Sequence, residues 1–395
     1  MAIELSKRAA QVQPSATLAV SAKAAELKSK GLDVVSFGAG EPDFDTPEHI
    51  KQAAKDALDA GQTKYAKPTH GLPPLKKAIC AKFQRDNGLA YEPEQVIVTV
   101  GGKEALYLAF QTVLNPGDEV IIPVPYWVSY PEQVKLAGGV PIYVEPEDTE
   151  SNKLTPQQLL GAITPQTKVL VFNNPSNPGG FTYGPEEVKA IAKALSGKEI
   201  LVFSDEMYDQ LIYGGQQFMS FAATGNEWYD KTITFNAGSK SYSMTGWRIG
   251  YAAGPAHIIK SMCKIQSQST SGTGTFTQVA LTAGLEADQV CVAEMRQQFE
   301  RRAEHMYERL NSLAGVSCPK PTGAFYCFPD FSGAYGKLGV NGSVEFCSKV
   351  LEEIYVAMVP GIAFGCDARA RMSFATSMAQ IDEGLDRLEK LLGKA

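Results

Sequence analysis

Short β-branched runs alternate along most of this chain with longer stretches whose apolar residues recur every three or four positions. No other feature constrains the fold as much. Strands separated by helix-length segments pair in parallel, and a parallel sheet must bury both faces under helices. The strand-like runs are 95–100, 119–124, 168–172, 200–204, 232–236 and 248–253. The helix-like stretches are 46–60, 75–87, 103–114, 185–195, 289–313 and 380–392. Turn chemistry at Asn115-Pro116-Gly117-Asp118 and Gly138-Gly139 punctuates the pattern, and no repeat or low-complexity block interrupts it. After about residue 290 the texture changes to a long charged helix, short strands and a final amphipathic helix. The expected organisation is an N-terminal arm (1–45) shared with a smaller α+β domain (291–395), around a large α/β domain (46–290).

Composition removes several classes of function. With 395 residues, 44% hydrophobic and 20% charged, the chain has an ordinary globular balance and is too long for one small core. A formal net charge of -6 leaves no basic excess to neutralise many phosphates, which argues against nucleic acid or an anionic membrane surface as partner. Seven scattered cysteines without a C-x-x-C pair read as reduced thiols of a cytoplasmic protein. Four histidines at 49, 70, 257 and 305 have no metal-ligand spacing, so no protein-built metal site is expected. The opening Met-Ala-Ile-Glu-Leu-Ser-Lys-Arg has no apolar h-region, and the longest apolar run, 120–128, is broken by Pro123 and Pro125. No membrane span is expected.

Chemistry-bearing residues gather where the strand-like runs end. The run 95–100 leads into Gly101-Gly102-Lys103, where glycines and a helix N-terminus suit an anion, although an isolated Gly-Gly more often only tightens a turn. Lys103 in a first helical turn opposes the helix dipole, which favours a functional role for it. The run 200–204 ends in Asp205-Glu206-Met207-Tyr208, placing a carboxylate where ligands bind in open α/β sheets; its plain alternative is a helix cap. An ionised Asp205 could hold a heteroaromatic ring nitrogen protonated, with Tyr208 reaching a ring hydroxyl. The run 168–172 opens into Asn173-Asn174-Pro175-Ser176-Asn177-Pro178-Gly179-Gly180, a rigid non-helical loop, and Tyr126-Trp127 offers an aromatic face. The run 232–236 leads into Ala237-Gly238-Ser239-Lys240, one amine in a small hydroxyl-rich turn, with Arg248 eight residues on. An amine and a guanidinium so placed suit a carbonyl cofactor held as an imine, with its phosphate pinned nearby.

Taken together these segments resemble the pyridoxal-5′-phosphate-dependent class I aminotransferases (fold type I), in the aspartate aminotransferase branch that includes aspartate/prephenate aminotransferases. The resemblance spans essentially the whole chain. It runs through Pro14-Ser15-Ala16-Thr17, Ala39-Gly40-Glu41-Pro42-Asp43-Phe44, Lys64-Tyr65, the Gly101-Gly102-Lys103 turn, Pro125-Tyr126-Trp127, Asn174 to Pro178, Ser204 to Tyr208, the Lys240 block, and Arg371-Met372-Ser373-Phe374-Ala375-Thr376-Ser377. It implies a large domain with a mostly parallel seven-stranded sheet flanked by helices, and a homodimer with shared active sites. It also implies roles. Lys240 would carry the cofactor and move the substrate proton, Asp205 would pair with the ring nitrogen, and Asn177 and Tyr208 would bond the ring oxygen. Gly101, Gly102 and Arg248 would hold the phosphate, with Tyr65 reaching it from the other subunit, and Trp127 would stack on the ring. Arg371 would grip the substrate α-carboxylate beneath the backbone at Gly40.

Two positions depart from the family pattern. Gly179 stands where a loop threonine is usual, and Ala237 where many relatives place a phosphate-binding serine; whether Ser239 takes over that contact is left open. For substrate, the resemblance points to Lys103, with Thr17 closing over the same group, as the cation for a second carboxylate, since 268–274 lacks an arginine. Aspartate or glutamate with 2-oxoglutarate or oxaloacetate is the leading expectation. Prephenate and neutral or aromatic amino acids remain alternatives, and a lyase or decarboxylase would share every cofactor contact. A ligand-sensing regulator is disfavoured, because the resemblance begins within fifteen residues of the start and leaves no room for a DNA-binding domain.

Overall fold

The computed structural model describes residues 3–394. The first strand, β1 (Val35–Ser36), stands apart from a seven-stranded sheet made of β2 (Val96–Thr99), β3 (Glu119–Pro123), β4 (Val140–Val144), β5 (Thr167–Asn173), β6 (Leu201–Asp205), β7 (Thr232–Ala237) and β8 (Gly250–Ala253). Their spatial order is β2-β8-β7-β6-β5-β3-β4. Only β8 is antiparallel to its neighbours; every other pairing is parallel. The central strands are Val-, Ile- and Phe-rich because helices cover both faces: every residue of β2, β7 and β8 is buried.

The sequence pattern identifies the fold class and six of the seven sheet strands. It passes over β4, whose Val140 and Tyr143 are 43% and 44% exposed. As an edge strand β4 tolerates Pro141 and needs no continuous apolar run. The strand expected over 248–253 begins at Gly250 instead, because Arg248 adopts a left-handed conformation (φ 53°) that ends the preceding turn. The helix expected over 75–87 is an α-helix, Pro73–Lys82, followed by a π-helical turn, Phe83–Asn87. Helices also form at Ala16–Ser29 and Thr275–Glu286, where no apolar stripe announces them, and at Ala256–Ser267 and Gly342–Ile354, whose stripes (Ile258, Ile259, Met262 and Phe346, Cys347, Val350) the sequence reading passed over.

Topology sets the position of the site. Because β2, β5, β6 and β7 run the same way, Thr99, Asn173, Asp205 and Ala237 all end at one edge. The reversed β8 pairs its first residue, Gly250, with both Thr99 and Ala237, so the residues just before it arrive at that same edge.

Four short strands follow: β9 (Tyr326–Cys327), β10 (Val356–Ala357), β11 (Val359–Pro360) and β12 (Ala370–Ser373). β11-β12-β9 form an antiparallel sheet, while β10 pairs in parallel with β1, which ties the N-terminal segment to the C-terminal part of the chain. One apolar core joins Val35 and Phe37 to Phe299, Phe325, Phe346 and Leu385, packed between the helices Val290–Asn311 and Met378–Leu392. All seven cysteines are free thiols. Among the described residues no helix is long and apolar enough to cross a membrane.

Behind β6 lies a buried polar cluster that the π-helical turn makes possible. Lys82 forms an ion pair with Asp209 and bonds Asn87 Oδ1 at 2.8 Å, and Asn87 Nδ2 donates to Glu206 Oε2 at 3.1 Å. Ser204 and Ser220 each donate to Glu206 Oε1 at 2.7 Å. Burial nonetheless pushes the Glu206 carboxyl up to about 7. Lys82 and Asp209 are 3% and 5% exposed, so removing one partner strands a charge in a dry interior. Lys82→Ala should therefore cost about 3–5 kcal/mol of stability, read as a lower urea midpoint, and Lys82→Met with Asp209→Leu should recover most of it. An unchanged midpoint in the single variant would show that the pair does not anchor this corner.

Candidate active site

The shared strand edge opens on a cavity of about 550 Å³. Lys240 enters from a short helix, Gly238–Ser241, that follows β7 directly. Its Nζ donates to the Gly40 carbonyl and lies 5.4 Å from the Phe325 ring centroid and 5.9 Å from that of Tyr208. Enclosure, and after it the nearby Arg371 and Arg248 charges, pull this amine down to about 8, against an opposing pull from Glu41 and Asp205. A lysine so tuned is neutral for an appreciable part of the time near pH 7.5 and can act as nucleophile or base.

Asp205 ends β6 and lines the same cavity. Its Oδ1 accepts the Met207 N–H at 3.3 Å and its Oδ2 accepts the Tyr130 hydroxyl at 2.5 Å. Burial raises the carboxyl to about 6, with those hydrogen bonds and Lys240 pulling the other way. Tyr208 reaches the cavity with its hydroxyl 2.9 Å from that of Tyr326. Asn177, held by an N–H bond to Asn173 Oδ1 at 2.8 Å, accepts from Arg371 Nη1 at 3.0 Å through its own Oδ1.

Arg371, on β12, is 2% exposed and sits over the rings of Tyr326 (4.5 Å) and Phe364 (5.2 Å). Its Nη2 donates to the Gly38 carbonyl at 3.1 Å, and its Nε is buried with no hydrogen-bond partner among the described residues. Across the cavity, Lys103 in the first turn of Gly102–Val113 lies 5.1 Å from the Trp127 ring centroid and makes no ion pair among the described residues. Burial first, and Arg248 second, lower its basicity. Thr17, from the helix Ala16–Ser29, lines the same cavity with its hydroxyl 2.9 Å from that of Ser15.

The remaining expected residues form a cradle. Gly101 (φ 78°) caps its helix, and a Cβ there would lie 2.6 Å from Arg248 Nη2. A Cβ on Gly102 would meet Met207 Cε at 2.1 Å, the movable end of a flexible side chain, so the left-handed Gly101 is the glycine the geometry demands. Arg248 itself is oriented by donation from Nη1 to the Thr245 carbonyl at 2.7 Å. Ser239 is buried in the same cavity wall. Backbone N–H groups at a helix start, a guanidinium and a hydroxyl make an anion cradle, and with the Lys240 amine and Asp205 carboxylate they fit a phosphorylated carbonyl cofactor.

Tyr65 does not join this constellation. It is 82% exposed and absent from the cavity wall of its own chain. Sequence reasoning missed Tyr130 and Tyr326. Tyr130 follows Trp127 by three residues at a helix start, a spacing that would have paired them; no local signal marks Tyr326. The glycine at 179 has a steric reason, because a side chain there would run into the Phe181 ring, 2.3 Å from an added Cβ.

A parallel-sheet α/β fold with a lysine, a carboxylate and two arginines around an anion cradle defines a class of enzyme, and comparison with known proteins agrees. The profile of the family described as aminotransferase class I and II matches residues 32–388, and the chain belongs to that family. It is 50% identical over 390 residues to an aspartate aminotransferase of Geobacillus stearothermophilus, covering 99% of each chain. It is 49% identical over 391 residues to an aspartate/prephenate aminotransferase of Cereibacter sphaeroides, covering 98% of each. Among solved structures, the aspartate aminotransferase of Thermus thermophilus with maleate superposes with a TM-score of 0.93 at 43% identity, over 99% of this chain and 100% of that one. This protein is an aminotransferase.

Gly101→Ala forces Arg248 aside and strains a left-handed backbone position. Affinity of the cofactor-free protein for inorganic phosphate should fall by roughly tenfold, measured by calorimetric titration. An unchanged affinity would place the anion cradle elsewhere.

Proposed function

We propose that this aminotransferase moves the amino group of aspartate or glutamate to 2-oxoglutarate or oxaloacetate with pyridoxal 5′-phosphate as cofactor. The carrying observation is that Lys103 and Arg371, each without a carboxylate partner among the described residues, line one cavity with Lys240. Two cations flanking a reactive amine suit a substrate with two carboxylates. The Thermus thermophilus relative solved with maleate, a dicarboxylate, is in keeping with this.

When bound, pyridoxal 5′-phosphate supplies an aldehyde for amine exchange and a ring that absorbs negative charge developing at the substrate Cα. Gly101, Gly102, Ser239 and Arg248 would hold its phosphate. Trp127 would cover the ring face, while Tyr208 and the Asn177 amide hydrogens, left free by the bond its oxygen accepts from Arg371, would donate to the ring oxygen. Asp205 would keep a proton on the ring nitrogen. Arg371 clamps the substrate α-carboxylate next to Gly40, and Lys103 with Thr17 receives the side-chain carboxylate. Lys240 Nζ would take the Cα proton of the donor in one half-reaction and return a proton to Cα of the new amino acid in the other, a task for which a basicity near 8 is suited.

The assembly is a cytoplasmic homodimer, in which the exposed Tyr65 serves the partner's phosphate cradle rather than its own. Residues 1–45 and 291–395 act as a smaller domain that closes on substrate, supported by the apolar core that β1 shares with the C-terminal helices. Prephenate is the second reading for the acceptor, because its ring carboxylate could use Lys103 as well and the Cereibacter sphaeroides relative is named for it.

Lys240→Ala should abolish turnover while leaving cofactor binding partly intact; more than a few per cent residual activity would overturn the assignment. In the wild type, excess L-aspartate should convert the bound cofactor's absorbance band far faster than L-alanine does. Lys103→Ala should lower kcat/KM for aspartate by about tenfold or more and leave alanine unchanged. Equal effects on both amino acids would remove Lys103 as the selector. A cofactor band that neither amino acid converts would favour prephenate with a glutamate donor.

A further inference from the structure

Asp205 carries a buried charge with no cation in direct contact, and the Lys240 charge across the cavity offsets its burial only in part. It is 4% exposed, and no lysine or arginine forms an ion pair with it among the described residues. A carboxylate taken out of water in that way protonates unless hydrogen bonds hold its charge. Two donors do so: the Met207 N–H at 3.3 Å, a long and weak contact, and the Tyr130 hydroxyl at 2.5 Å, a short one. Tyr130 is 1% exposed and its hydroxyl has no other hydrogen-bond partner among the described residues. It stands in the first turn of the helix Ser129–Leu136, packs edge-to-face on Trp127 at 5.3 Å between centroids, and donates its N–H to the Trp127 carbonyl at 3.1 Å.

Any buried tyrosine needs an acceptor for its hydroxyl, and a backbone carbonyl would serve. Here the acceptor is the one carboxylate that faces the cavity from the end of β6. Resting on the cofactor reading above, we infer that Tyr130 is a positioning residue that keeps Asp205 ionised and aimed at the cofactor's ring nitrogen. A phenol suits this task better than a cation. An arginine or lysine in its place would neutralise the carboxylate and leave less attraction for a protonated ring nitrogen, whereas a neutral donor stabilises the charge and leaves it in place. The phenol also holds its own proton firmly, because burial and the adjacent carboxylate both raise its ionisation far above the ordinary range. Two donors on two different oxygens fix the rotation of the carboxylate. Because Trp127 and Tyr130 share one turn, the surface that meets the ring face and the group that steadies the ring-nitrogen partner move as a unit.

The test compares two cofactors on one variant. Cofactor-free wild type and Tyr130→Phe are titrated with pyridoxal 5′-phosphate and with its 1-deaza analogue, in which a C–H replaces the ring nitrogen, following tryptophan fluorescence. A hydrogen bond to a charged group predicts about tenfold or greater loss of affinity for pyridoxal 5′-phosphate in the variant, and less than about twofold for the analogue. In an Asp205→Asn background the same Tyr130→Phe change should cost nothing further. Equal losses with both cofactors would mean that Tyr130 only supports the fold, and no loss with either would mean that the contact is idle; each overturns the inference. A general failure to fold lowers both affinities and counts against it in the same way. Wild-type protein that takes up neither compound overturns the cofactor reading itself, a result distinct from either.

Discussion

The reversed strand β8 is the constraint on which the rest depends. Its antiparallel pairing between β2 and β7 puts Gly250 against Thr99 and Ala237. The contact is so close that a Cβ on Gly250 would fall 2.3 Å from the Gly102 backbone nitrogen. From that fixed point the chain must leave in the direction of the strand ends, and the left-handed Arg248, two residues before it, swings its guanidinium under Gly101. Were β8 parallel like its neighbours, Arg248 would lie at the opposite edge of the sheet, far from Lys240. A single change of strand direction thus unites an amine and a guanidinium only eight residues apart in sequence, and the helix start at Gly102 with both.

Electrostatics around this edge are decided by desolvation and only corrected by contacts. For Lys240, Asp205 and Lys103 burial is the largest influence, and it pushes each toward its neutral form. The corrections are unequal. Asp205 is helped by neutral donors and the Lys240 charge, Lys103 is pushed further down by Arg248, and Lys240 is pulled both ways. The cluster behind Asp205 follows another course, with Lys82 supplying a full countercharge to Asp209 and the serines hydrogen-bonding Glu206. Two layers of buried charge therefore lie back to back across the end of β6. The outer one is left incompletely satisfied and faces the cavity, and the inner one is mostly paired.

Much of this architecture was legible because strong local patterns coincide with long-range roles. Val96–Thr99, Leu201–Asp205 and Thr232–Ala237 are β-branched runs ending in polar or small residues, and the site grows from those ends. The helix Pro185–Leu195 carries its apolar stripe and its N-terminal Pro, Glu, Glu signal, and its limits are as expected. The helix Thr275–Glu286 was not legible, because it buries Thr277, Gln278 and Gly284 among its apolar residues and so shows no clean stripe. Gln278 is accommodated there only by bonds to Leu72 N–H and the Thr273 carbonyl, partners that no local pattern reveals. Ala16–Ser29 was hidden for the opposite reason, burying only Ala24. In the site, Lys240, Asp205, Asn177 and Arg371 stand in segments distinctive enough to name. Tyr130 and Tyr326 are ordinary tyrosines until the fold brings one to Asp205 and the other between Tyr208 and Arg371.

The bond from Lys240 to the Gly40 carbonyl has a mechanical meaning beyond chemistry. The segment around Gly40 also gives its Gly38 carbonyl to Arg371 and its Glu41 carboxylate to Thr245, so one stretch of backbone is moored at three points on the cavity wall. Two of those moorings use the Lys240 amine and the Arg371 guanidinium, the groups the proposed function assigns to substrate. Whatever engages those two groups competes with the backbone around Gly40 for them.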